Sequence, residues 1–265
     1  MKSIENNVFW ITGASSGIGR SMAELVIEHG AKVIVSGRNL AALENFLSKF
    51  PNHQNNILPM AFDLGADFDA EDLAKQAVNR FGRIDFLINN GGISQRSQTA
   101  ETPIEVDRKI METNFFGNIK LTKAVLPIMI QQGGGHIAVT SSVVGKFGFP
   151  LRSAYAASKH ALHGFYESLR AENYEQNIRV TMIIPGRINT DISVNAMTAE
   201  GKKHGVLDPG QATGMTSEKA AQLILKGILN QRKEIIVGKF DTIMVHIRRF
   251  FPRLFYYMAR KIDPK

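Results

Sequence analysis

Short apolar runs alternate along the chain with longer segments in which apolar residues recur at helical spacing. Each run is apolar throughout, which is typical of strands buried on both faces of a parallel sheet. The intervening segments are long enough for helices that cross from one strand to the next. We therefore predict one α/β domain over residues 1–265, with a doubly wound parallel sheet of about seven strands and helices on both faces. The predicted strands lie near 8–12, 32–38, 57–64, 84–92, 135–142, 179–186 and 234–238.

The predicted helices include one long segment, 103–132, which is expected to break near Asn114-Phe-Phe-Gly117. Two other segments depart from the alternation. Residues 187–216 mix Asn, Gly, Pro and Lys with few periodic apolar positions, so we interpret them as a substrate loop. Residues 240–265 interleave basic and large apolar residues around Pro252, which prevents one long amphipathic helix. This tail is expected to close the substrate pocket, to pack in an oligomer, or to lie on an anionic membrane surface.

Composition narrows the chemistry and the partners. The chain has 32 Lys and Arg against 24 Asp and Glu, a net charge of +8, which suits an anionic ligand, a nucleic acid or an anionic membrane. No zinc-finger or RNP-type pattern is present, so no nucleic-acid partner is expected. The absence of Cys excludes disulfides, thiolate catalysis and Cys-based metal sites. His160 and His163 share a helix face without a carboxylate pattern, so no metal site is predicted.

No targeting segment is predicted. The N-terminal residues offer no long apolar region for a signal peptide. No run of about 18 or more apolar residues predicts a transmembrane helix. We expect a cytoplasmic protein, with peripheral membrane contact through 240–265 as an alternative.

A glycine-rich turn follows the first predicted strand and precedes the first helix. Its sequence, Thr12-Gly-Ala-Ser-Ser-Gly-Ile-Gly19, has the spacing G-x-x-x-G-x-G. Such a turn lets backbone N–H groups approach a phosphate at a helix N-terminus. The alternative is a tight turn without a ligand, but the strand-to-helix context favours a phosphate site.

The end of the second strand bears on which dinucleotide would bind. An acidic residue there holds a ribose 2′-hydroxyl, whereas an Arg accommodates a 2′-phosphate. The sequence Ser36-Gly-Arg38 has no carboxylate, which favours NADP(H). Otherwise Arg38 is a solvated residue at the start of a helix.

Tyr155 and Lys159 are four positions apart in a run of good helix formers, so their side chains share one helix face. A positive charge beside a phenol lowers its pKa, which suits Tyr155 to proton exchange in carbonyl or alcohol chemistry. Ser142 ends the fifth strand, at the sheet edge where open α/β folds bind ligands. The alternative for the pair alone is a surface helix with an exposed lysine.

Three Asn residues lie at structurally sensitive points. Asn89 and Asn90 end the fourth strand, where Asn side chains cap neighbouring backbone groups. Asn114 lies in an apolar neighbourhood. It either satisfies a local helix irregularity or also holds a water molecule for a proton relay.

In their order and spacing, these motifs resemble those of the short-chain dehydrogenase/reductase family. The resemblance covers nearly the whole chain and implies a Rossmann-type fold, hydride transfer between NADP(H) and a carbonyl or secondary alcohol, and a homodimer or homotetramer. Residues 185–196, Gly205-Val-Leu-Asp208 and the basic tail look most like the member 7B branch, whose N-terminal membrane anchor is not expected here. The motifs that carry the resemblance are 12–19, Asn89-Asn90-Gly91, Asn114, Ser142, Tyr155-x-x-x-Lys159 and Pro185-Gly186.

The resemblance also implies roles for individual residues. Tyr155 is the acid/base, and Lys159 lowers its pKa and binds the nicotinamide ribose. Ser142 orients the substrate oxygen, and Asn114 holds a water that links Lys159 to solvent. The implied cofactor contacts are Gly13, Ser15, Gly17, Ile18 and Gly19 at the pyrophosphate, Asp63 and Leu64 at the adenine, Asn90 and Gly91 at its ribose, and Ile188 and Thr190 at the carboxamide. The other predicted cofactor contacts are Ser16, Arg38, Tyr155, Lys159, Pro185 and Gly186.

One motif departs from the family pattern. The fourth strand usually ends in Asn-Asn-Ala-Gly, whereas here Gly91 and Gly92 follow the two Asn residues without an alanine. We expect this change to loosen the turn slightly and to preserve cofactor binding.

Three functions remain open from the sequence. The leading one is an NADP(H)-dependent oxidoreductase that interconverts a carbonyl and a secondary alcohol. The second is a catalytically silent dinucleotide-binding regulatory or scaffold protein on the same fold. The Ser142, Tyr155, Lys159 and Asn114 set argues against it, because a protein without chemistry does not need that geometry. The third is a membrane-surface enzyme that uses the tail and acts on a lipophilic carbonyl.

Overall fold

The computed structural model describes residues 3–261, in which strands and helices alternate as the apolar pattern predicts. Seven strands form one parallel sheet, and two short strands pair separately. The strands are β1 (Val8–Thr12), β2 (Lys32–Gly37), β3 (Ile57–Ala61), β4 (Phe86–Asn89), β5 (Gly135–Thr140), β6 (Ile178–Pro185), β7 (Ile188–Asn189), β8 (Met215–Thr216) and β9 (Glu234–Val237).

The sheet order is β3-β2-β1-β4-β5-β6-β9. From β1 the chain builds outward to β3, and it then returns to β4 and builds in the opposite direction. The direction changes between β1 and β4, and in doubly wound sheets ligands bind at the carboxyl ends of the strands beside such a point.

Helices cover both faces of the sheet. They are α1 (Gly17–Glu28), α2 (Leu40–Ser48), α3 (Ala70–Phe81), α4 (Ile104–Met111), α5 (Gly117–Gln131), α6 (Ser153–Glu172), α7 (Pro209–Ala212), α8 (Ser217–Leu229), α9 (Ile243–Phe250) and α10 (Pro252–Ala259). One apolar core lies between the sheet and α1, α2 and α8, and a second lies against α3, α5 and α6. Successive residues of β1 point to opposite cores, which is why the whole strand is apolar.

The predicted break in segment 103–132 is a π-helical turn at Glu112–Phe116 between α4 and α5. A Cβ atom on Gly117 would lie 2.1 Å from the Leu64 carbonyl oxygen, so the helix backbone packs directly against the segment after β3. Asn118 Nδ2 donates to the Asn114 carbonyl at 2.8 Å. A side chain therefore satisfies a backbone group at this wide turn.

Segment 187–216 is more ordered than a loop prediction implies. Its backbone contains β7 and α7, and β7 pairs with β8 at the end of the segment. These elements are only two to four residues long, so periodicity has too few positions to reveal them.

The tail forms two short helices, because Pro252 begins α10 and separates it from α9. Phe255 is buried and its ring packs 5.0 Å from that of Phe147, so the tail packs on the body of the domain. The last predicted tail residues, 262–265, lie outside the described residues. Within residues 3–261, no helix is both long and apolar enough to cross a membrane.

Candidate active site

A cavity of about 790 Å³ opens at the carboxyl ends of the central strands. Its volume lies in the range of small-molecule and cofactor sites. Every site residue predicted from the sequence lines this cavity except Gly19 and Asn114. Residues separated by up to about 180 positions in sequence are thus brought to one edge of the sheet, as the parallel topology requires.

The glycine-rich turn is shaped by close backbone approaches. Gly13 has φ +65°, and a Cβ atom there would lie 2.9 Å from Gly91 Cα. Gly17 has φ +53°, and its Cβ would lie 2.9 Å from Thr190 Cγ2. Gly19 does not face the cavity, since its Cβ would lie 2.4 Å from the Gly13 carbonyl oxygen. Gly19 instead packs against the backbone of the turn itself, on the side away from the cavity.

The N-terminus of α1 suits an anion. The residue before it, Ser16, makes no side-chain hydrogen bond to the first turn, and the cavity is lined by Ser16, Gly17 and Ile18. The first backbone N–H groups of a helix have no partner within the helix, and they carry its positive dipole end. The turn therefore fits a phosphate group, as the sequence predicts.

Asn90 joins three strand ends beside this turn. Its Nδ2 donates to the Thr12 carbonyl at 3.2 Å, and its Oδ1 accepts from Thr140 Oγ1 at 3.2 Å. Thr12 Oγ1 in turn accepts from the backbone N–H groups of Asn90 and Gly91, at 3.0 and 2.9 Å. The Asn90 side chain therefore caps a neighbouring backbone group, as was predicted for the Asn pair.

The missing alanine of the fourth-strand motif does not leave a gap. A Cβ atom on Gly91 would lie 2.6 Å from Leu64 Cδ1, so Leu64 occupies the space of the absent methyl group. Together with the hydrogen bond to Thr12, this packing closes the turn in the structure. The slight loosening expected from the missing alanine stays a prediction. Gly92 has a different reason to be glycine, because its Cβ would lie 2.9 Å from Asn114 Oδ1 and 3.4 Å from Lys159 Nζ.

Tyr155 lies in the first turn of α6, and a side chain from another segment fixes that turn. The buried Gln95 Oε1 accepts hydrogen bonds from the backbone N–H groups of Ala154 at 2.9 Å and Tyr155 at 3.2 Å. These N–H groups have no partner within the helix. Gln95 was not predicted as a site residue, because no local spacing links residue 95 to a helix that begins at 153.

Lys159 lies one turn further along α6 and is buried, with 3 % of its surface exposed. Its ammonium group donates to the Thr140 carbonyl at 2.7 Å and lies 5.7 Å from the centre of the Tyr155 ring. The alternative of a surface helix with an exposed lysine is therefore wrong. Burial lowers the pKa of Lys159 to about 8.

The electrostatics of Tyr155 differ from the expectation. Burial raises the pKa of Tyr155, and this effect exceeds the lowering by the nearby Ser142 hydroxyl and by the charges of Arg152 and Arg96. The net direction of the Tyr155 pKa is therefore upward, and the cations whose charges lower it are Arg152 and Arg96. The lowering by Lys159 stays a prediction. A raised pKa keeps the phenol protonated at neutral pH.

Ser142 lies two residues beyond β5 and caps a short 3₁₀ turn, Val143–Gly145. Its Oγ accepts from the Val144 N–H at 3.3 Å and lies 3.5 Å from the Pro185 carbonyl oxygen. The hydroxyl thus lies beside Tyr155 in the cavity lining.

Asn114 lies behind the cavity wall. Its Oδ1 accepts from the Ile93 N–H at 2.8 Å, and its Nδ2 donates to the Ile93 carbonyl at 2.9 Å and to Ser158 Oγ at 3.0 Å. These contacts support its role at the helix irregularity. The water relay to Lys159 stays a prediction.

Arg38 lies exposed at the end of β2 in the lining of the cavity. Within residues 3–261 it has no carboxylate partner. Ser36 Oγ accepts from Trp10 Nε1 at 2.8 Å. Of the two side chains in Ser36-Gly-Arg38, the guanidinium is therefore the better placed to bind a ligand.

Comparison with known proteins agrees with this geometry. A family model described as short chain dehydrogenase matches residues 7–201. The chain belongs to the short-chain dehydrogenase/reductase family. It is 42 % identical over 262 residues to "Dehydrogenase/reductase SDR family member 7B" of Rattus norvegicus, a match covering 96 % of this chain and 80 % of the relative. It is 40 % identical to "Dehydrogenase/reductase SDR family protein 7-like" of Drosophila melanogaster, covering 97 % and 81 %.

Solved structures share the fold. A short-chain dehydrogenase from Streptomyces avermitilis superposes with a TM-score of 0.80 at 27 % identity, covering 98 % of this chain and 100 % of that one. A short-chain dehydrogenase/reductase from Burkholderia phymatum, solved in complex with NAD, gives 0.83 at 23 % identity and covers 100 % and 99 %. This short-chain dehydrogenase/reductase is therefore an oxidoreductase by family, and that family uses NAD or NADP.

Beyond the family motifs, this dehydrogenase/reductase has an arginine cluster in the cavity wall, formed by Arg96, Arg152 and Asp208. Asp208 Oδ2 accepts from Arg96 Nε at 3.1 Å, from Arg96 Nη2, and from Arg152 Nη2 at 3.3 Å. All three side chains are at most 16 % exposed. This cluster was not predicted from the sequence, because its members come from three segments with no common spacing.

A second unpredicted cluster lies outside the cavity. The ligand atoms of His163, Glu167 and Glu234 lie within 4.8 Å of one another, a composition found in metal sites. The expectation that His163 has no carboxylate partner is wrong, since Glu167 lies one helical turn away. Lys146 Nζ contacts Glu234 Oε1 at 2.5 Å, however, so a cation already neutralises that carboxylate.

Proposed function

We propose that the protein is an NADP(H)-dependent oxidoreductase that interconverts a carbonyl and a secondary alcohol. The observation that carries the proposal is the position of Tyr155, which shares one cavity with Ser142, Lys159 and the glycine-rich turn. A phenol, a hydroxyl and an ammonium beside a dinucleotide site suit proton transfer to or from a substrate oxygen.

The choice of NADP(H) rests on Arg38. It lines the cavity at the end of β2, the strand next to β1, where a ribose 2′-phosphate is recognised in this fold. Arg suits this role because its planar fork binds phosphate oxygens in pairs. The N–H groups at the start of α1 would hold the pyrophosphate. A bound nicotinamide supplies or accepts the hydride.

The proton chemistry belongs to this chain. Ser142 would hydrogen-bond the substrate oxygen and Tyr155 would donate the proton in the reductive direction. The raised pKa of Tyr155 keeps the phenol protonated at neutral pH, which suits it as a proton donor. Because the pKa of Lys159 is lowered to about 8, its ammonium can return a proton to the phenol near neutral pH.

The experiment is NADPH oxidation, followed by absorbance, over a panel of ketones, aldehydes, steroids and long-chain 3-oxo compounds. Tyr155→Phe is compared with the matched control Tyr174→Phe, which removes a hydroxyl from an exposed tyrosine outside the cavity. Removing a general acid costs roughly 10²–10⁴-fold in rate, so we expect Tyr155→Phe to lose at least about 100-fold in kcat. Its NADPH affinity should change by less than about threefold, because the pyrophosphate and 2′-phosphate contacts remain.

Two outcomes would contradict this function. Unchanged turnover in Tyr155→Phe would remove the tyrosine from the chemistry. Tight NADPH binding without turnover of any panel member would favour the regulatory or scaffold protein instead.

A further inference from the structure

The cavity holds more positive charge than the family chemistry requires. We propose that Arg152 and Arg96 bind an anionic group of the substrate, a carboxylate or a phosphate ester, while Tyr155 acts on its carbonyl. This inference rests on the proposed function and names the substrate class for the same site. The substrate would thus be an acidic ketone or aldehyde and not a neutral one.

The balance of charge in the arginine cluster points to a missing anion. Asp208 is the one carboxylate in ion-pair contact with Arg96 and Arg152 within the described residues. The pKa of Arg152 is lowered to about 10, chiefly by burial and then by the positive charges of Arg96 and Arg187, which Asp208 and Tyr155 offset only in part. Burying positive charges without an equal number of negative ones is costly. An incoming anion would balance the excess charge.

The hydrogen bonds of the two arginines show which guanidinium has N–H groups available to bind a substrate anion. Arg96 donates to Asp208, to Ser94 Oγ at 3.1 Å and to the Gln95 carbonyl at 2.6 Å, so most of its N–H groups are occupied. Arg152 donates to the Pro150 carbonyl and to Asp208, both at 3.3 Å. A guanidinium has five N–H donors, so three of those on Arg152 make no hydrogen bond within residues 3–261.

The surroundings fix the Arg152 side chain in place. Its guanidinium carbon lies 5.2 Å from the centre of the Phe149 ring, and its side chain is 14 % exposed. Both residues line the cavity with Tyr155, and the charge of Arg152 acts on the Tyr155 phenol. When the carbonyl of a substrate reaches Tyr155, another part of the same molecule can therefore contact the Arg152 guanidinium, which is already held in place.

A competing explanation uses the same residues. The two arginines could serve only to stabilise the Tyr155 phenolate. In that case their removal would displace the pH profile and slow charged and neutral substrates equally. Substrate recognition instead predicts that the loss depends on the charge of the substrate.

The experiment uses matched pairs of ketones with one to six atoms between the carbonyl and the charged group. One arm compares carboxylates with their methyl esters, and the other compares phosphate monoesters with the corresponding alcohols. We expect wild type to prefer the charged member by about 10- to 100-fold in kcat/KM, as for a charge-assisted hydrogen bond. Arg152→Gln should remove this preference mainly through KM, and Arg152→Lys should keep part of it. Lys226→Gln removes an exposed charge that does not line the cavity and should change nothing.

Equal kcat/KM for charged and neutral members in wild type would overturn the proposal. So would an equal loss for both members in Arg152→Gln with a displaced pH profile. If no ketone is turned over, the proposed function fails, and calorimetry on the NADPH-saturated protein then decides the binding question. Preferential binding of the anionic members that is lost in Arg152→Gln supports the subsite, and equal or absent binding overturns it.

The tail carries a second, independent inference: we infer that the outer face of α9 and α10 binds an anionic lipid surface. Residues 243–261 contain five Lys and Arg and no Asp or Glu. Large apolar side chains stand among these charges, and Phe250 and Phe251 are 65 % and 64 % exposed. An exposed face of aromatic and basic residues without acids matches the chemistry of an anionic bilayer.

The position of this face relative to the cavity fits such a surface. Phe240, which is 82 % exposed, and Met244 line the cavity just before and within α9. Phe255 anchors the tail on the domain from its inner side, so the outer aromatic side chains are free of that packing. The lipid-binding face therefore borders the cavity mouth.

Vesicle co-sedimentation tests this inference. We expect vesicles with phosphatidylserine to retain at least about ten times more protein than neutral phosphatidylcholine vesicles at low salt. The double variant F250S/F251S should lose this binding. The control L40S/Y174S removes two exposed apolar side chains elsewhere and should not. Equal binding by the two double variants would overturn the inference. The inference would also be overturned if wild type does not bind vesicles and forms an oligomer that F250S/F251S dissociates. That result would assign the face to a second copy of the chain.

Discussion

The two ends of the cavity are assembled from the sequence in different ways. The cofactor end consists of the glycine-rich turn, Arg38 and the ends of β3 and β4, and each part immediately follows a strand. The substrate end consists of the arginine cluster, Phe149 and the start of the tail, which come from distant loops. Parallel topology alone brings the first set together, whereas the second depends on how each loop folds back.

This difference has a physical basis in what each end recognises. The cofactor end uses backbone N–H groups and close approaches, so it constrains residues to glycine at set spacings. The substrate end uses side-chain charge, which tolerates many backbone arrangements. Substitutions that disturb the backbone geometry should therefore weaken cofactor binding. Substitutions that change a side-chain charge should instead alter ligand selectivity or the free energy of unfolding.

Gly13→Val should have the largest effect. The valine would have to adopt φ near +65° and would place its Cβ 2.9 Å from Gly91 Cα. The resulting backbone strain of a few kcal/mol would displace the phosphate-binding turn. Because about 1.4 kcal/mol corresponds to a tenfold change in affinity, we expect NADPH affinity to fall by more than about 100-fold. Fluorescence titration with NADPH checks this. Gly148→Val is the control, because a Cβ atom on Gly148 would meet no other atom within 4 Å, and this variant should bind NADPH normally.

Arg38→Asp should invert the cofactor preference. The carboxylate would repel a 2′-phosphate and accept a hydrogen bond from a 2′-hydroxyl. We expect the ratio of NADPH to NADH affinity to fall by about 10- to 100-fold, as for loss of a charge-assisted pair. Titration with both cofactors measures the ratio. An unaltered ratio would mean that Arg38 is only a solvated residue; Arg232→Asp, at an exposed site outside the cavity, provides the comparison.

Lys159→Met should stabilise the protein while abolishing activity. The pKa of Lys159 is about 8 in the folded state against 10.5 unfolded, so below pH 8 its burial opposes folding. Removing the charge should raise the free energy of unfolding by about 2 kcal/mol at pH 7, after allowing for the lost bond to Thr140.

The dependence of the unfolding free energy on pH shows whether the burial of Lys159 destabilises the protein. Between pH 8 and 10.5 the unfolded state binds more protons, so the stability of wild type should rise with pH and approach that of Lys159→Met. Urea denaturation of both proteins across this window measures the difference. A lower stability of Lys159→Met at pH 7 would contradict the account.

Gly91→Ala should have the smallest effect. It restores the family's usual alanine. The closest contact of the new Cβ is with the end of the flexible Leu64 side chain, at 2.6 Å, and Thr12 Oγ1 and the Gly13 nitrogen follow at 3.3 and 3.4 Å. We expect the unfolding free energy to change by less than about 1.5 kcal/mol and NADPH affinity to stay nearly constant. Leu64→Ala/Gly91→Ala should recover any loss, and a failure to do so would mean that another contact closes the turn.

Much of the fold and of the cofactor end could be predicted from the sequence, because long apolar runs and glycine spacings are local signals. The pairing of Tyr155 with Lys159 was equally local. Gln95 and Asp208 were not predictable, since the first caps a helix about 60 positions away and the second pairs with Arg96 across 112 positions. The upward direction of the Tyr155 pKa also required the structure, because burial outweighs the neighbouring charges only in three dimensions.

The most direct test of the central claim is isotope transfer from NADPH deuterated at C4 of the nicotinamide to a ketone that the protein reduces. The account predicts that one of the two C4-deuterated stereoisomers delivers one deuterium to the carbinol carbon, as measured by mass spectrometry, and that the other delivers none. A product without deuterium from either isomer, or with hydrogen from water at that carbon, would contradict direct hydride transfer in this cavity.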